Sequence, residues 1–215
     1  METAPSGRDP RHEDIFCPML GALVANGELK PDEAGRVTVW GVSRAMRTAG
    51  LSVPLRSALA GTSWTANKAR DIIRNLFTLS FNVFAMRGGL VAHKGDSGIL
   101  NSGTFDEAAF QTLVSHSEDG TTMTVADLAR ASTDNGLRDG RRGANIRARA
   151  NLATIVITLG YIDEQGVRRI SIATLRELYQ QKKLNFPGGV PPKTGLGGLF
   201  RVLREMARST PPRST

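Results

Sequence analysis

The chain has 215 residues with 28 Lys+Arg against 20 Asp+Glu, a formal net charge of +8, and this length predicts one domain with a core that needs no staples. Hydrophobic residues make up 40% and charged residues 22%, which excludes global disorder. One cysteine, Cys17, excludes an internal disulfide framework, and the polar start METAPSGRDPRHED excludes a secretory signal; no apolar run nears the ~18–20 residues of a membrane span, so a soluble cytoplasmic protein is expected.

Residues 1–12 read as a disordered lead, 13–208 as the folded domain and 209–215 as a disordered tail. No repeat of fixed period is visible. Pro18 to Asn26 reads as a short apolar helix stopped by Gly27, and Thr38 caps a second helix through Val39, Val42 and Met46 that ends at Gly50. Thr65 to Met86 reads as a long helix ending at Gly88-Gly89. Thr104-Phe105-Asp106-Glu107 has the capping-box pattern and predicts a helix through Phe110 and Leu113. Thr124 to Asp127 opens another in the same way.

Ala150 to Leu159 is apolar all round except Asn151, Thr154 and Thr158, the pattern of a helix inside a domain. Its β-branched residues also allow a buried strand, but no neighbouring segments alternate as sheet partners would, so helix is expected. Ser171 to Lys183 is amphipathic through Ile172, Leu175, Leu178 and Tyr179. Asn185 to Gly198 is Gly/Pro-rich and irregular, and Leu199 to Arg208 forms a terminal helix. The expected fold class is all-α, a single compact multi-helix domain.

The positive charge is mostly arginine, 22 Arg against 6 Lys. That balance permits contact with nucleic acid or acidic surfaces without demonstrating it. Arg138, Arg141, Arg142, Arg147 and Arg149 cluster in sequence, but Gly140 and Gly143 argue against one continuous helix there. No zinc spacing or RNA-binding aromatic motif accompanies them, so a solvated face or a contact to heme propionates is the simpler reading.

Cys17-Pro18 stands directly before the first apolar helix. Proline suits the first helical position because its missing N–H has no partner there anyway. The cysteine then sits at the cap, facing the free N–H groups of Met19, Leu20 and Gly21. Those donors and the positive helix end favour a thiolate suited to an iron. The bland alternative is a small buried hydrophobe that happens to precede a proline.

The run Cys17-Pro18-Met19-Leu20 through Ala25-Asn26-Gly27 to Pro31-Asp32 resembles the N-terminal motif of the heme-thiolate peroxidases, the family of fungal chloroperoxidase and the unspecific peroxygenases. LRELYQQKKLNFPGGVPPKT, residues 175–194, resembles that family's closing segment. The resemblance covers about residues 13–195 and is strongest at its two ends. It implies a chloroperoxidase-like helical fold around a heme b. Cys17 is then the proximal, metal-ligating residue, with Pro18 and Leu20 at the cofactor.

The distal side departs from that family. Its short acidic motif corresponds to Leu90 to Gly98, where either Ala92 or Lys94 replaces the expected glutamate, depending on register. The missing carboxylate argues against a family-type Mg²⁺ site, because Mg²⁺ prefers carboxylate oxygen. Lys94 could place its own cation near a propionate, or be an ordinary exposed lysine. The position of the family's catalytic glutamate falls at Asn151, an amide that cannot titrate and can only position a ligand by hydrogen bonds. The alternative for Asn151 is a buried amide satisfied by backbone groups. His93 is the one distal side chain able to act as a base. His12 and His116 lie in the lead and at a helix end.

The resemblance therefore implies an oxidoreductase that uses H₂O₂ to oxidise a small organic substrate, with an altered distal site. A non-catalytic heme or small-ligand binder on the same fold is the second reading, and a basic nucleic-acid binder the third. Peroxide and an organic substrate are the expected partners, with no membrane.

Overall fold

The computed structural model describes residues 15, 17–67, 79–83, 100–101, 104–139 and 142–209. Most of these are helical, in α1 (Pro18–Ala25), α2 (Val39–Thr48), α3 (Val53–Asn67), α4 (Glu107–Val114), α5 (Val125–Asp139), α6 (Arg142–Leu159), α7 (Ile172–Gln181) and α8 (Leu196–Arg208). The strands are β1 (Arg36–Thr38), β2 (Ser80–Asn82), β3 (Leu100–Asn101), β4 (Thr104–Phe105), β5 (Thr122–Thr124), β6 (Tyr161–Ile162) and β7 (Arg168–Ser171). The architecture is thus mainly helical but not purely so.

One local device recurs at three unequally spaced places. A turn with a positive-φ glycine leads into a short strand, and a Thr or Ser at the strand's end caps the following helix. The glycines are Gly35, Gly120 and Gly166. The caps are Thr38, whose hydroxyl accepts Gly41 N–H at 2.9 Å, Thr124, and Ser171, whose hydroxyl accepts Thr174 N–H at 3.0 Å. In each turn an aspartate orders the backbone, Asp119 Oδ1 accepting the N–H groups of Thr121 and Thr122 in the second. Asp32 Oδ1 accepts the N–H groups of Ala34 and Arg36, and Asp163 Oδ1 accepts those of Gln165 and Val167. This is the Asx-turn chemistry that competes with helix and ends where the strand starts.

At Thr124 the expected capping box forms. Asp127 Oδ2 accepts Thr124 N–H at 2.8 Å while Thr124 Oγ1 accepts Asp127 N–H at 3.2 Å. Asp127 is 1% exposed and also binds the Arg130 guanidinium. The second and third strand-to-helix units pair antiparallel, Met123 opposite Ile170, and β6 adds to the other edge of β7. This three-stranded sheet, ordered β5-β7-β6, corrects the all-α expectation. Its strands are too short to show alternation along the sequence.

Two helix expectations also change. Ser80–Asn82 is a strand paired with Arg36–Thr38, not part of a helix running from residue 65 to 86. The chain turns there through Leu79, at φ 45, and Asn82 Nδ2 donates to Ala34 O at 2.8 Å. Residues 68–78 and 84–99 lie outside the described ones, Gly88-Gly89 included. The helix expected from Thr104 starts later, because Asp106 is the cap, its carboxylate accepting Ala109 N–H at 2.9 Å. That releases Thr104-Phe105 to pair with Leu100-Asn101.

Of the others, α1, α2, α5 and α7 stand where the sequence puts them, whereas α3 has no counterpart among the expected helices and α6 begins at Arg142, well before Ala150. Ala150–Leu159 is the buried C-terminal part of α6, packed chiefly on α5 and α8; each buried Leu or Ile there contributes about 1.5–3 kcal/mol of transfer free energy. Arg138 belongs to α5 and Arg142, Arg147 and Arg149 to α6, so these arginines do not share one helix, and Arg141 lies outside the described residues. The irregular segment 185–198 holds a short 3₁₀ turn, Pro187–Gly189, and α8 begins within it at Leu196. It closes against the start of α3. Thr194 N–H donates to Gly50 O at 3.0 Å, and a Cβ on Gly50 would stand 2.1 Å from Pro192 O, so only glycine fits. Among the described residues no helix is long and apolar enough to cross a membrane.

Candidate heme-thiolate site

The structure builds the start of α1 as its sequence predicts. Cys17 is the N-cap, in extended conformation at φ −74 and ψ 113, and Pro18 occupies the first helical turn. Cys17 Sγ accepts Leu20 N–H at 3.4 Å, and Cys17 O accepts Gly21 N–H at 2.8 Å. Pro18, Met19, Leu20, Gly21, Ala22 and Leu23 are all buried. The helix has no polar face to turn outward, so it sits inside the core. Asn26 closes its other end, Nδ2 donating to Ala22 O at 2.8 Å.

Burial changes the electrostatics expected of this cap. Cys17 is 0% exposed, and desolvation pushes its thiol up to about 11, against the N–H groups of Leu20 and Met19 and the charge of Lys182, all of which favour the thiolate. Helix donors alone therefore do not ionise this sulfur; the low-dielectric surroundings win. A bound metal cation reverses the balance, because a coordinating thiol is deprotonated outright. Cys17 is the one thiol that the chain offers to a metal. Among the described residues, no group of three or more His, Cys, Asp or Glu could hold a metal on its own.

Lys182 is the residue that sequence reading missed. It is the C-cap of α7, in left-handed conformation at φ 54 and ψ 38, and only 2% exposed. α7 packs on α1, which carries the ammonium into electrostatic range of Cys17. In the sequence it is one of two lysines after an amphipathic helix, where a solvated cation at a helix C-terminus is the ordinary expectation.

Asn151 lies on α6 and is 4% exposed, and its Nδ2 has no hydrogen-bond partner. The expected alternative of a backbone-satisfied amide does not hold for that nitrogen. Thr154 and Thr158, by contrast, return their hydroxyls to Ala150 O and Thr154 O, both at 2.8 Å. The structure therefore brings Cys17, Pro18 and Leu20 together in one helical turn and places Asn151 on a separate core helix. His93 and Lys94 lie outside the described residues. His116 stands beside Asp134, Nε2 to Oδ2 at 3.2 Å, at the surface end of α4.

A cavity of about 520 Å³ lies elsewhere, between the turn after α1 and the start of α2, with Leu29, Lys30, Arg36 and Arg44 in its wall. Cys17 is not among its lining residues. No protein-family model matches the chain, and a search of curated proteins finds no match.

Proposed function

We propose that this chain is a heme-thiolate oxidoreductase that uses H₂O₂ to oxidise a small organic substrate, with Cys17 as the iron ligand. The supporting observation is the placement of Cys17: a fully buried sulfur at a helix N-cap, with a backbone N–H aimed at it. Such donors reduce the electron donation of a thiolate and tune the potential of the metal it holds. Pro18 fixes the turn that presents the sulfur. Leu20 supplies both the N–H donor and buried apolar surface, and Lys182 lowers the cost of a negative charge in the core. When bound, the heme supplies the oxidising chemistry drawn from peroxide.

Peroxide chemistry also needs a base that takes a proton and returns it to the leaving oxygen. Asn151 does not titrate, so its part is to orient a ligand by hydrogen bonding. His93 is the proposed base, and Lys94 the proposed cation at a propionate. A cytoplasmic location belongs to the same proposal.

The orphaned Asn151 amide favours a second reading: a binder on this fold that holds heme or a small ligand without peroxide turnover. An unpartnered donor in the core serves a bound acceptor as well as it serves catalysis. Purified protein supplied with heme, then reduced and exposed to CO, is expected to show the red-shifted Soret band of thiolate ligation, and Cys17→Ala is expected to lose it. A wild type without that band, or a Cys17→Ala variant that keeps it, overturns the heme-thiolate reading. Heme binding without peroxide-dependent turnover selects the second.

A further inference from the structure

The tertiary structure collects part of the chain's positive charge on one outer face. On α8, Arg201, Arg204 and Arg208 are exposed, and Phe200 is 65% exposed. At about 100° per residue, these four side chains fall within an arc of roughly 100° on the side opposite buried Val202 and Met206. Arg168 of β7 joins the edge of this face. It lies within electrostatic range of Arg201 and Glu205 of α8. Ile162 of β6 is directly opposite Arg168 in the hairpin and 58% exposed, and cross-strand partners share a sheet face. Arg201, Arg204 and Arg208 thus stand beside exposed Phe200 on α8, and Ile162 is exposed on the hairpin strand that pairs with Arg168. Among the described residues no carboxylate forms an ion pair with Arg201, Arg204 or Arg208, and Glu205 is the one acid on this side of the helix.

We infer that this face docks on an anionic lipid surface. The arginines meet the headgroup phosphates, and Phe200 and Ile162 enter the boundary between headgroups and acyl chains. Charge complementarity requires an anionic partner. The aliphatic Ile162 favours lipid over nucleic acid, since a phosphodiester backbone offers an alkyl side chain nothing to pack against. Docking on a surface needs no spanning helix, so it is compatible with the absence of one among the described residues. It departs from the expectation of no membrane partner, which rested on hydropathy and the lack of a spanning segment. The inference does not rest on heme binding, and the heme-free chain tests it as well as the loaded one.

The experiment is co-sedimentation of the full chain with vesicles of phosphatidylcholine alone and of phosphatidylcholine mixed with phosphatidylglycerol, at rising salt. The expected result is binding to the anionic vesicles only, weakening as salt screens the phosphates. Arg204→Gln and Arg208→Gln are each expected to weaken partitioning about fivefold, and Phe200→Ser about three- to tenfold. Circular dichroism keeps misfolded variants out of the comparison. No partitioning onto anionic vesicles overturns the proposal, as does partitioning that the arginine variants leave unchanged. Tighter, arginine-dependent binding to duplex DNA or polyglutamate in parallel assays assigns the face to another polyanion and overturns it as well.

Discussion

Two helix starts in this protein solve one problem with different atoms. At α7, Ser171 caps with a hydroxyl oxygen 3.0 Å from its donor, and the residue is half-buried. At α1, Cys17 caps with a sulfur 3.4 Å from its donor, and the residue is fully buried. Oxygen is the better acceptor, and Ser, Thr, Asp and Asn are the preferred caps. The chain uses them at Thr38, Asp106, Thr124 and Ser171. Cysteine at α1 is therefore a poor choice for holding a helix and a good one for holding a soft metal. The difference teaches that capping strength was not what fixed residue 17.

The comparison breaks or sharpens under substitution. The largest effect on stability is expected at Asp127, whose buried carboxylate completes the α5 capping box and binds Arg130. Asp127→Ala is expected to cost about 2–3 kcal/mol in denaturant unfolding; a cost below a few tenths would show that this network is decorative. Ser171→Ala is expected to cost about 1 kcal/mol, the ordinary value of a cap. Cys17→Ser retains a capping oxygen and is expected to cost no more than about 1 kcal/mol in the heme-free protein, while abolishing the thiolate band outright. If Cys17→Ser destabilises like a large core deletion, the sulfur is there for packing and the contrast with Ser171 collapses.

The smallest effect is acidic. Glu107, in the first turn of α4, accepts two hydrogen bonds from Arg176 at 2.7 Å. Arg176 lies over the Phe110 ring at 4.7 Å. The side-chain hydrogen bond from Arg176, then that from Gln111, holds the Glu107 carboxyl down at about 2 from its ordinary 4.5. A depressed carboxyl stabilises the fold above its unfolded value. That contribution is lost as pH falls from about 4.5 toward 2. Glu107→Gln is therefore expected to flatten the acid limb of the stability curve slightly and leave neutral pH almost unchanged, because the pair is at the surface. An unchanged acid limb would show that the pair is not formed in solution.

Much of the helical frame was legible in the sequence. α1, α2, α5, α6 and α7 announce themselves through capping residues and apolar runs, which act over four residues and need no distant partner. The sheet was not legible. Strands such as Tyr161–Ile162 and Thr122–Thr124 are too short for a period to show, and Ser80-Phe81-Asn82 is strand only because Arg36–Thr38 lies beside it. The site divides in the same way. Cys17-Pro18 before an apolar helix could be read directly, but the burial of Lys182 could not, because α7 had first to be packed on α1.

By itself the sequence determined the local events: a cysteine at a proline-led helix start, the caps, and an apolar α6 bound for the interior. Tertiary structure decided the environment of those groups. It enclosed Cys17 so that its proton is held rather than shed, set Lys182 within range of it, left the Asn151 nitrogen without a partner, and left Arg201, Arg204 and Arg208 exposed on the outer face of α8. The reason is physical. Capping and turn energies come from neighbours in the chain, whereas desolvation and summed charge come from whatever the fold brings alongside.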